Sequence, residues 1–191
     1  MMKMTDPILL DFPDQFETER LLLRAMRPGD GAVINEAVVE SLPELRRWMP
    51  WAYNGQTLDE SEAYVRRSAA DYIQRKQFPL AIFERETGRF VGGTGLHRIE
   101  WEVPAFEIGY WVRTSLQGRG YITEAVVRLT QVTFDLLDAR RVCIHCDAAN
   151  ERSANVARRA GYEQEAHLRK DRRDVNDELC DTLIFAKVRP D

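Results

Sequence analysis

A chain of 191 residues, 44% of them hydrophobic and 30% charged, is long enough for one domain with its own core and has the balance of a globular protein. A formal net charge of -4 argues against nonspecific attraction to nucleic acid or an anionic membrane, and no apolar run is long enough to cross a bilayer. The start, Met1 to Pro7, lacks the apolar stretch of a secretory signal.

In chain order, residues 17–26 read as the first strand. Pro28-Gly29-Asp30 makes a turn and cap, and a helix runs over residues 32–39. A second, short helix opens at Ser41 and ends at Trp48-Met49-Pro50-Trp51. Two tryptophans around a proline either line a binding groove or pack as a corner. Thr57-Leu58-Asp59-Glu60 has the spacing of a capping box and opens a helix to about Gln77. Residues 80–84 form a strand, Glu86-Thr87-Gly88-Arg89 a hairpin turn, and residues 90–99 the returning strand, loosened by Gly92, Gly93 and Gly95. Val103-Pro104 turns into a further strand at residues 105–112. Gln117-Gly118-Arg119-Gly120-Tyr121-Ile122-Thr123-Glu124 then feeds a long helix. Its apolar stripe is Ile122, Ala125, Val126, Leu129, Val132, Thr133, Leu136 and Leu137. Residues 141–147 form a strand, and residues 150–160 a short helix closed by Gly161. Residues 162–168 and 182–188 are the last two strands, joined through a charged loop that begins at residues 169–174. No repeat or linker interrupts the chain. The expectation is a single α/β (α+β) domain spanning 1–191 with its core at about 17–189. Its central sheet is mixed and mostly antiparallel, of about seven strands flanked by helices, with one strand-helix-strand crossover.

Strand, glycine-rich turn and helix in that order make an anion site. Glycines let the backbone come close, and the unpaired N–H groups of the helix start point at whatever binds. Two or three phosphates on a cofactor fit that description; a plain glycine turn is the alternative. Cys143 and Cys146 form a C-x-x-C, but on a strand they point to opposite faces, whereas a redox or zinc site needs them to converge. With Cys180 they read as buried or half-buried thiols of a protein from the reducing cytoplasm. His97, His145 and His167 are scattered without metal spacing, so no metal is expected.

Several of these residues together resemble the Gcn5-related N-acetyltransferases. Gln117-Gly118-Arg119-Gly120-Tyr121-Ile122 is similar to the family's pyrophosphate loop, with Ile122 where the pattern ends in Gly or Ala. Asn150-Glu151-Arg152-Ser153-Ala154-Asn155 and Ala160-Gly161-Tyr162 resemble its next motif. Thr18-Glu19-Arg20-Leu21-Leu22-Leu23-Arg24, Leu45-Arg46-Arg47-Trp48-Met49-Pro50-Trp51 and Phe106-Glu107-Ile108-Gly109-Tyr110-Trp111 resemble the branch that acetylates N-termini of ribosomal proteins.

The resemblance implies acetyl-CoA and a primary amine, with a protein or peptide N-terminal α-amine as the favoured acceptor. A small amine (amino acid, polyamine or aminoglycoside) is the second reading, and a non-catalytic acyl-CoA-binding sensor the third. It also implies a backbone rail at Trp111 and Val112, and a phosphate anchor made by Gln117, Gly118, Arg119, Gly120, Tyr121 and Ile122. Asn150 suits the pantetheine amides, and Asn155 either reaches the same arm or stays an exposed helix position. Glu107 is the candidate base. It faces away from Phe106 and Ile108, in line with Gly109 and Trp111, and a carboxylate in a largely apolar strand is poorly solvated. The alternative is a structural carboxylate paired with an arginine, or one facing solvent at a sheet edge. Ser153 either donates a proton to the departing sulfur or caps its helix. No nucleic-acid or membrane partner is expected, and a homodimer stays open.

Overall fold

The computed structural model describes residues 6–189; residues 1–5, the larger part of the start read above, lie outside it. Strands β1 (Gln15–Glu17), β2 (Leu21–Ala25), β3 (Phe78–Glu84), β4 (Phe90–Glu100), β5 (Ala105–Val112), β6 (Arg141–Asp147), β7 (Glu163–Arg173) and β8 (Leu179–Val188) form one sheet. Their spatial order is β1-β2-β3-β4-β5-β6-β8-β7. Helices α1 (Gly31–Trp48), α2 (Leu58–Ile73), α3 (Tyr121–Leu136) and α4 (Glu151–Arg159) flank it. Every neighbouring pair is antiparallel except β5 and β6. A parallel pair needs a crossover, and α3 supplies it. Among the described residues, no helix is long and apolar enough to cross a membrane.

The two faces of the sheet carry different cores. Ile122, Ala125, Val126, Leu129 and Val132 of α3 pack with Phe106, Ile108, Val142 and Ile144. On the other face, Ile34, Ala37, Val38 and Leu45 of α1 pack with Val65, Ala81 and Phe90, and Trp111 lies against that cluster. The α2 capping box forms as expected: Thr57 Oγ1 accepts from Glu60 N at 3.2 Å, and the Glu60 carboxylate accepts from Thr57 N at 2.8 Å.

Five sequence expectations change. The sheet has eight strands rather than about seven. The strand expected at 17–26 folds back on itself, because Thr18 N donates to Leu21 O at 2.9 Å and Thr18 Oγ1 accepts from Leu21 N at 2.9 Å. The helices expected to divide near Ser41 are one, α1, with Pro43 inside it. A mid-helix proline costs about 3 kcal/mol, but a continuous buried stripe from Ile34 through Ala37, Val38 and Ser41 to Leu45 holds the helix together. Leu136 is not on the buried stripe of α3; it is 49% exposed. Residues 169–173 belong to β7 rather than a loop. Lys170 N donates to the Asp181 carboxylate at 2.9 Å, and Arg172 Nε donates to Thr182 Oγ1 at 3.1 Å. The turn is set by Asp174, whose Oδ1 accepts from Asn176 N and Glu178 N.

The pairing of β5 with β6 is short. It runs only from Ala105 opposite Arg141 to Glu107 opposite Cys143. Beyond that point the ladder ends and the strands are no longer hydrogen-bonded neighbours.

Candidate active site

The turn into α3 sits at the open end of β5. Gly118 and Gly120 have φ of +76° and +80°, the left-handed region that favours glycine. A Cβ at Gly118 would meet nothing within 4 Å, and one at Gly120 only Arg20 Nη2 at 3.5 Å. Conformation rather than crowding therefore calls for glycine here. Gly120 occupies the cap position without a side-chain hydrogen bond to the helix. The first N–H groups of α3 thus have no helical acceptor and face outward as a positive end. Ile122, at the position where a small residue was expected, is only 7% exposed and belongs to the core. Its side chain leaves the outer side of the turn open.

A clamp that the sequence reading missed fixes this turn. The Glu124 carboxylate accepts from Thr18 Oγ1 at 2.5 Å, from Arg20 N at 3.1 Å and from Arg20 Nε at 2.7 Å. Arg20 also donates to Arg119 O at 3.1 Å and lies over the Tyr121 ring. Burial alone would raise the Glu124 carboxyl, but the hydrogen bonds from Thr18 and Arg20 outweigh it and hold it below its ordinary value. Tyr121 O–H donates to Glu84 at 2.6 Å. Beside the clamp lies a hollow of about 830 Å³ that Arg20, Gly120, Arg128 and Arg159 help to line. Arg128 Nε has no hydrogen-bond partner among the described residues.

Where β5 and β6 separate, side chains from α4 reach across. Arg152 Nη1 donates to Gln117 Oε1 at 2.8 Å. Tyr110 O–H donates to Ser153 O at 3.0 Å, and its oxygen lies 3.1 Å from Ser153 Oγ. Burial pushes the Tyr110 phenol up, so it stays protonated. The Cys146 thiol is also raised by burial, against an opposing influence of the nearby Ser153 side chain. Asn150 is the cap of α4, accepting from Ser153 N at 3.1 Å, so the capping role considered for Ser153 belongs to Asn150. Asn155 is half-buried and accepts from Arg158 at 3.1 Å. Arg113 N donates to Val91 O at 2.8 Å. By the alternation of an antiparallel ladder, Trp111 therefore turns its backbone to Gly93 on β4, and Val112 turns its own toward the gap.

Glu107 lies on the opposite face, 18% exposed, and its surroundings are not the apolar ones expected. Its carboxylate is 3.2 Å from Arg98 Nη1 and 3.5 Å from His145 Nδ1. His145, expected to stand apart, meets both Glu107 and Cys143, with ligand atoms of all three within 4.8 Å of one another. Cys143 and Cys146 do face opposite ways: Cys146 belongs to the core cluster that also holds the α3 stripe, and Cys143 sits beside Glu107. His97, paired with Glu107 across β4, has its imidazole pushed down by burial and lies 3.0 Å from Gln77 Oε1. On this same face, toward the end of β6, opens a cleft of about 570 Å³. Arg46, Arg47, Trp48 and Tyr53 form one wall; Asp147, Asp174, Glu178 and Leu179 form the other. Glu107 is not in its lining; Asp147 connects the two, four residues along the strand from Cys143. Trp51, 42% exposed, meets Trp111 edge-on with ring centroids 6.1 Å apart.

Residues 20–163 match the family model described as an acetyltransferase (GNAT) domain. The chain is 29% identical over 147 residues to the ribosomal-protein-serine acetyltransferase of Escherichia coli (strain K12), covering 75% of this chain and 80% of that one. Its fold matches RimL, a ribosomal L7/L12 alpha-N-protein acetyltransferase solved with coenzyme A. The TM-score is 0.83 at 22% identity, over 93% of this chain and 97% of that one. The microcin C7 self immunity acetyltransferase MccE, solved with acetyl-CoA and AMP, matches with a TM-score of 0.84 at 23% identity, over 90% and 94%.

Proposed function

The chain belongs to the GNAT acetyltransferase family, and from that premise we propose that it carries the acetyl group of acetyl-CoA to a protein or peptide N-terminal α-amine. The observation that carries this reading is the parting of β5 and β6 just past Glu107 and Cys143, with the unpaired N–H groups of the α3 turn at its mouth. A slot between two strands suits an extended arm, and amides at a helix start suit its diphosphate. Gly118, Arg119, Gly120, Tyr121 and Ile122 hold the phosphates through their backbone. Arg20, Arg128 and Arg159 offer further cationic groups in the adjoining hollow. Gln117, tied to Arg152, closes the slot from above. Val112, Asn150 and Asn155 border the arm, and the Trp111 indole walls the acceptor side.

Acetyl-CoA supplies an activated thioester; the chain supplies position and proton transfer. Glu107 takes the proton of the incoming amine, directly or through water. The Ser153 hydroxyl, held by Tyr110 and free of capping duty, hands its proton to the sulfur as it departs and takes one back from solvent. An α-amine loses its proton with a pKa near 8, whereas a lysine side chain needs more than 10, so a single carboxylate suffices more readily for the former. The cleft on the Glu107 face supports a peptide end as acceptor. Its volume is ordinary for a ligand site, and Trp48 and Tyr53 offer apolar contact to a peptide chain.

The test is a mass-spectrometric acetylation assay on peptides with varied N-termini, set against free amino acids, polyamines and aminoglycosides. Peptide α-amines should exceed every small amine by about tenfold or more in kcat/KM, a difference of about 1.4 kcal/mol. A small amine outrunning the peptides by that margin overturns the acceptor assignment and leaves acetyl transfer standing.

A further inference from the structure

The three side chains that meet on the β5–β6 face are chemically unlike one another, and the fold places them. Glu107 and Cys143 are register partners across the short parallel ladder. His145, two residues along β6, projects from the same face. The ladder fixes the spacing of the three Cβ atoms before any ligand arrives. A carboxylate oxygen, a thiol sulfur and an imidazole nitrogen then lie within 4.8 Å of one another. These are the three donor types that zinc accepts, and three protein ligands with one solvent molecule complete a tetrahedral shell. Ligand atoms around such an ion stand roughly 3.3–3.8 Å apart, so small side-chain rotations close the set. Glu107 and His145 are 18% and 30% exposed, enough for an ion to enter.

The neighbouring charges permit it. Arg98 is the cation nearest the carboxylate, yet its side chain is 73% exposed and can turn into solvent. Arg141 is occupied by Glu165 at 2.8 Å. His97, on the far side of Glu107, is engaged with Gln77. The Cys143 thiol is pushed up to about 11 by burial and by the charge of Glu107, so a metal must displace its proton; the same negative charge draws the cation in.

We propose that Glu107, Cys143 and His145 bind one thiophilic divalent cation, of which zinc is the type, and that its binding inhibits acetyl transfer by occupying the Glu107 carboxylate. The acetyl transfer proposed above routes no step through a metal, so the ion here is a regulator and not a cofactor. The inhibitory half rests on Glu107 as the base; the binding half does not.

The experiment titrates the full chain, stripped of coenzyme A, with Co²⁺ followed by absorbance and with Zn²⁺ followed by calorimetry. One equivalent should bind with a thiolate-to-cobalt charge-transfer band. Cys143→Ser should abolish the band, and both it and His145→Ala should weaken zinc binding about tenfold or more, since even outer-shell changes cost that much. Peptide acetylation by Cys143→Ser should match wild type without metal and need about tenfold more zinc for half inhibition. Absence of the band, or equal zinc affinity in wild type and both variants, overturns the site and leaves the proposed acetyl transfer untouched. Binding at full affinity without inhibition overturns the regulatory half and tells against Glu107 as the base.

Discussion

At the head of α3, what matters lies within residues 117–124 and is a matter of backbone: two left-handed glycines and a row of amides with no helical acceptor. On the β5–β6 face, Glu107 meets Cys143 and His145 only because two strands joined through a crossover helix lie in register. The first region has a shape that anions fill, and its one carboxylate, Glu124, is spent on holding the turn. The second has three titratable groups and no backbone peculiarity. A perturbation of the turn should therefore change what binds, and a perturbation of the face should change what reacts.

The largest expected effect is on the face. Glu107→Gln keeps size and hydrogen-bonding capacity but cannot take a proton. At neutral pH it should lower kcat for peptide acetylation by about 10²-fold or more while coenzyme A affinity stays within about twofold. The deficit should narrow as pH rises past 8, because the α-amine then sheds its proton to water unaided. A variant with full kcat at pH 7 removes Glu107 from the proton path. A variant with lost coenzyme A affinity breaks the division between the two regions.

The reciprocal change at the turn is Gly120→Val. No neighbour crowds a Cβ at this position, so the cost comes from the backbone. A β-branched residue at φ +80° is a genuine outlier, and such strain runs at roughly 1–3 kcal/mol. Coenzyme A affinity by calorimetry should fall by about 10- to 100-fold as the turn relaxes and its amides lose alignment. Gly120→Asn, which tolerates the left-handed region, should lose distinctly less. Equal losses for Asn and Val would mean that steric exclusion, rather than backbone conformation, governs the site.

This contrast also explains what was legible in the chain. The glycine turn, the α3 stripe apart from Leu136, the Thr57–Glu60 capping box and the facing of Cys143 and Cys146 all depend on neighbours in sequence, and each is visible there. An arginine beside Glu107 is only one of the alternatives the sequence leaves, and nothing local to either residue says that Arg98 and Glu107 will meet across the β4–β5 turn region. The Tyr110–Ser153 bond joins β5 to α4, and the clustering of His145 with Glu107 depends on the register of β5 and β6. The charge of residues 169–173 suggests a loop, yet the backbone and side-chain partners that make them strand lie on β8 and β6: Asp147 neutralises Arg172, and Asp181 accepts from the Lys170 backbone. Pro43 misled for the same reason: the local cost is real, and the buried stripe that outweighs it is tertiary.

The smallest expected effect tests whether the turn is held from outside. Glu124→Gln keeps the side chain in place but removes the charge that gathers Thr18 and Arg20. Hydrogen bonds to a charged group are worth more than neutral ones, but the Arg20 side chain is 45% exposed and solvent screens its share. A loss of about 1–2 kcal/mol is expected, and each kcal/mol lowers Tm by about 2–4 °C in a chain of this size. The folded Glu124 carboxyl lies below its ordinary 4.5. Between those two values the folded chain binds fewer protons than the unfolded one, so the stabilisation is complete above the ordinary value and disappears as pH falls through the depressed one. Wild type should thus converge on the variant as the solution is acidified below about pH 4.5. Coenzyme A affinity should fall less than in Gly120→Val, because the glycines still bend the chain and only their anchor to the β1–β2 turn has loosened. Denaturant melts of both proteins across that range read the outcome: a gap that persists unchanged into acid would mean that packing of the side chain, and not its charge, ties α3 to the sheet edge.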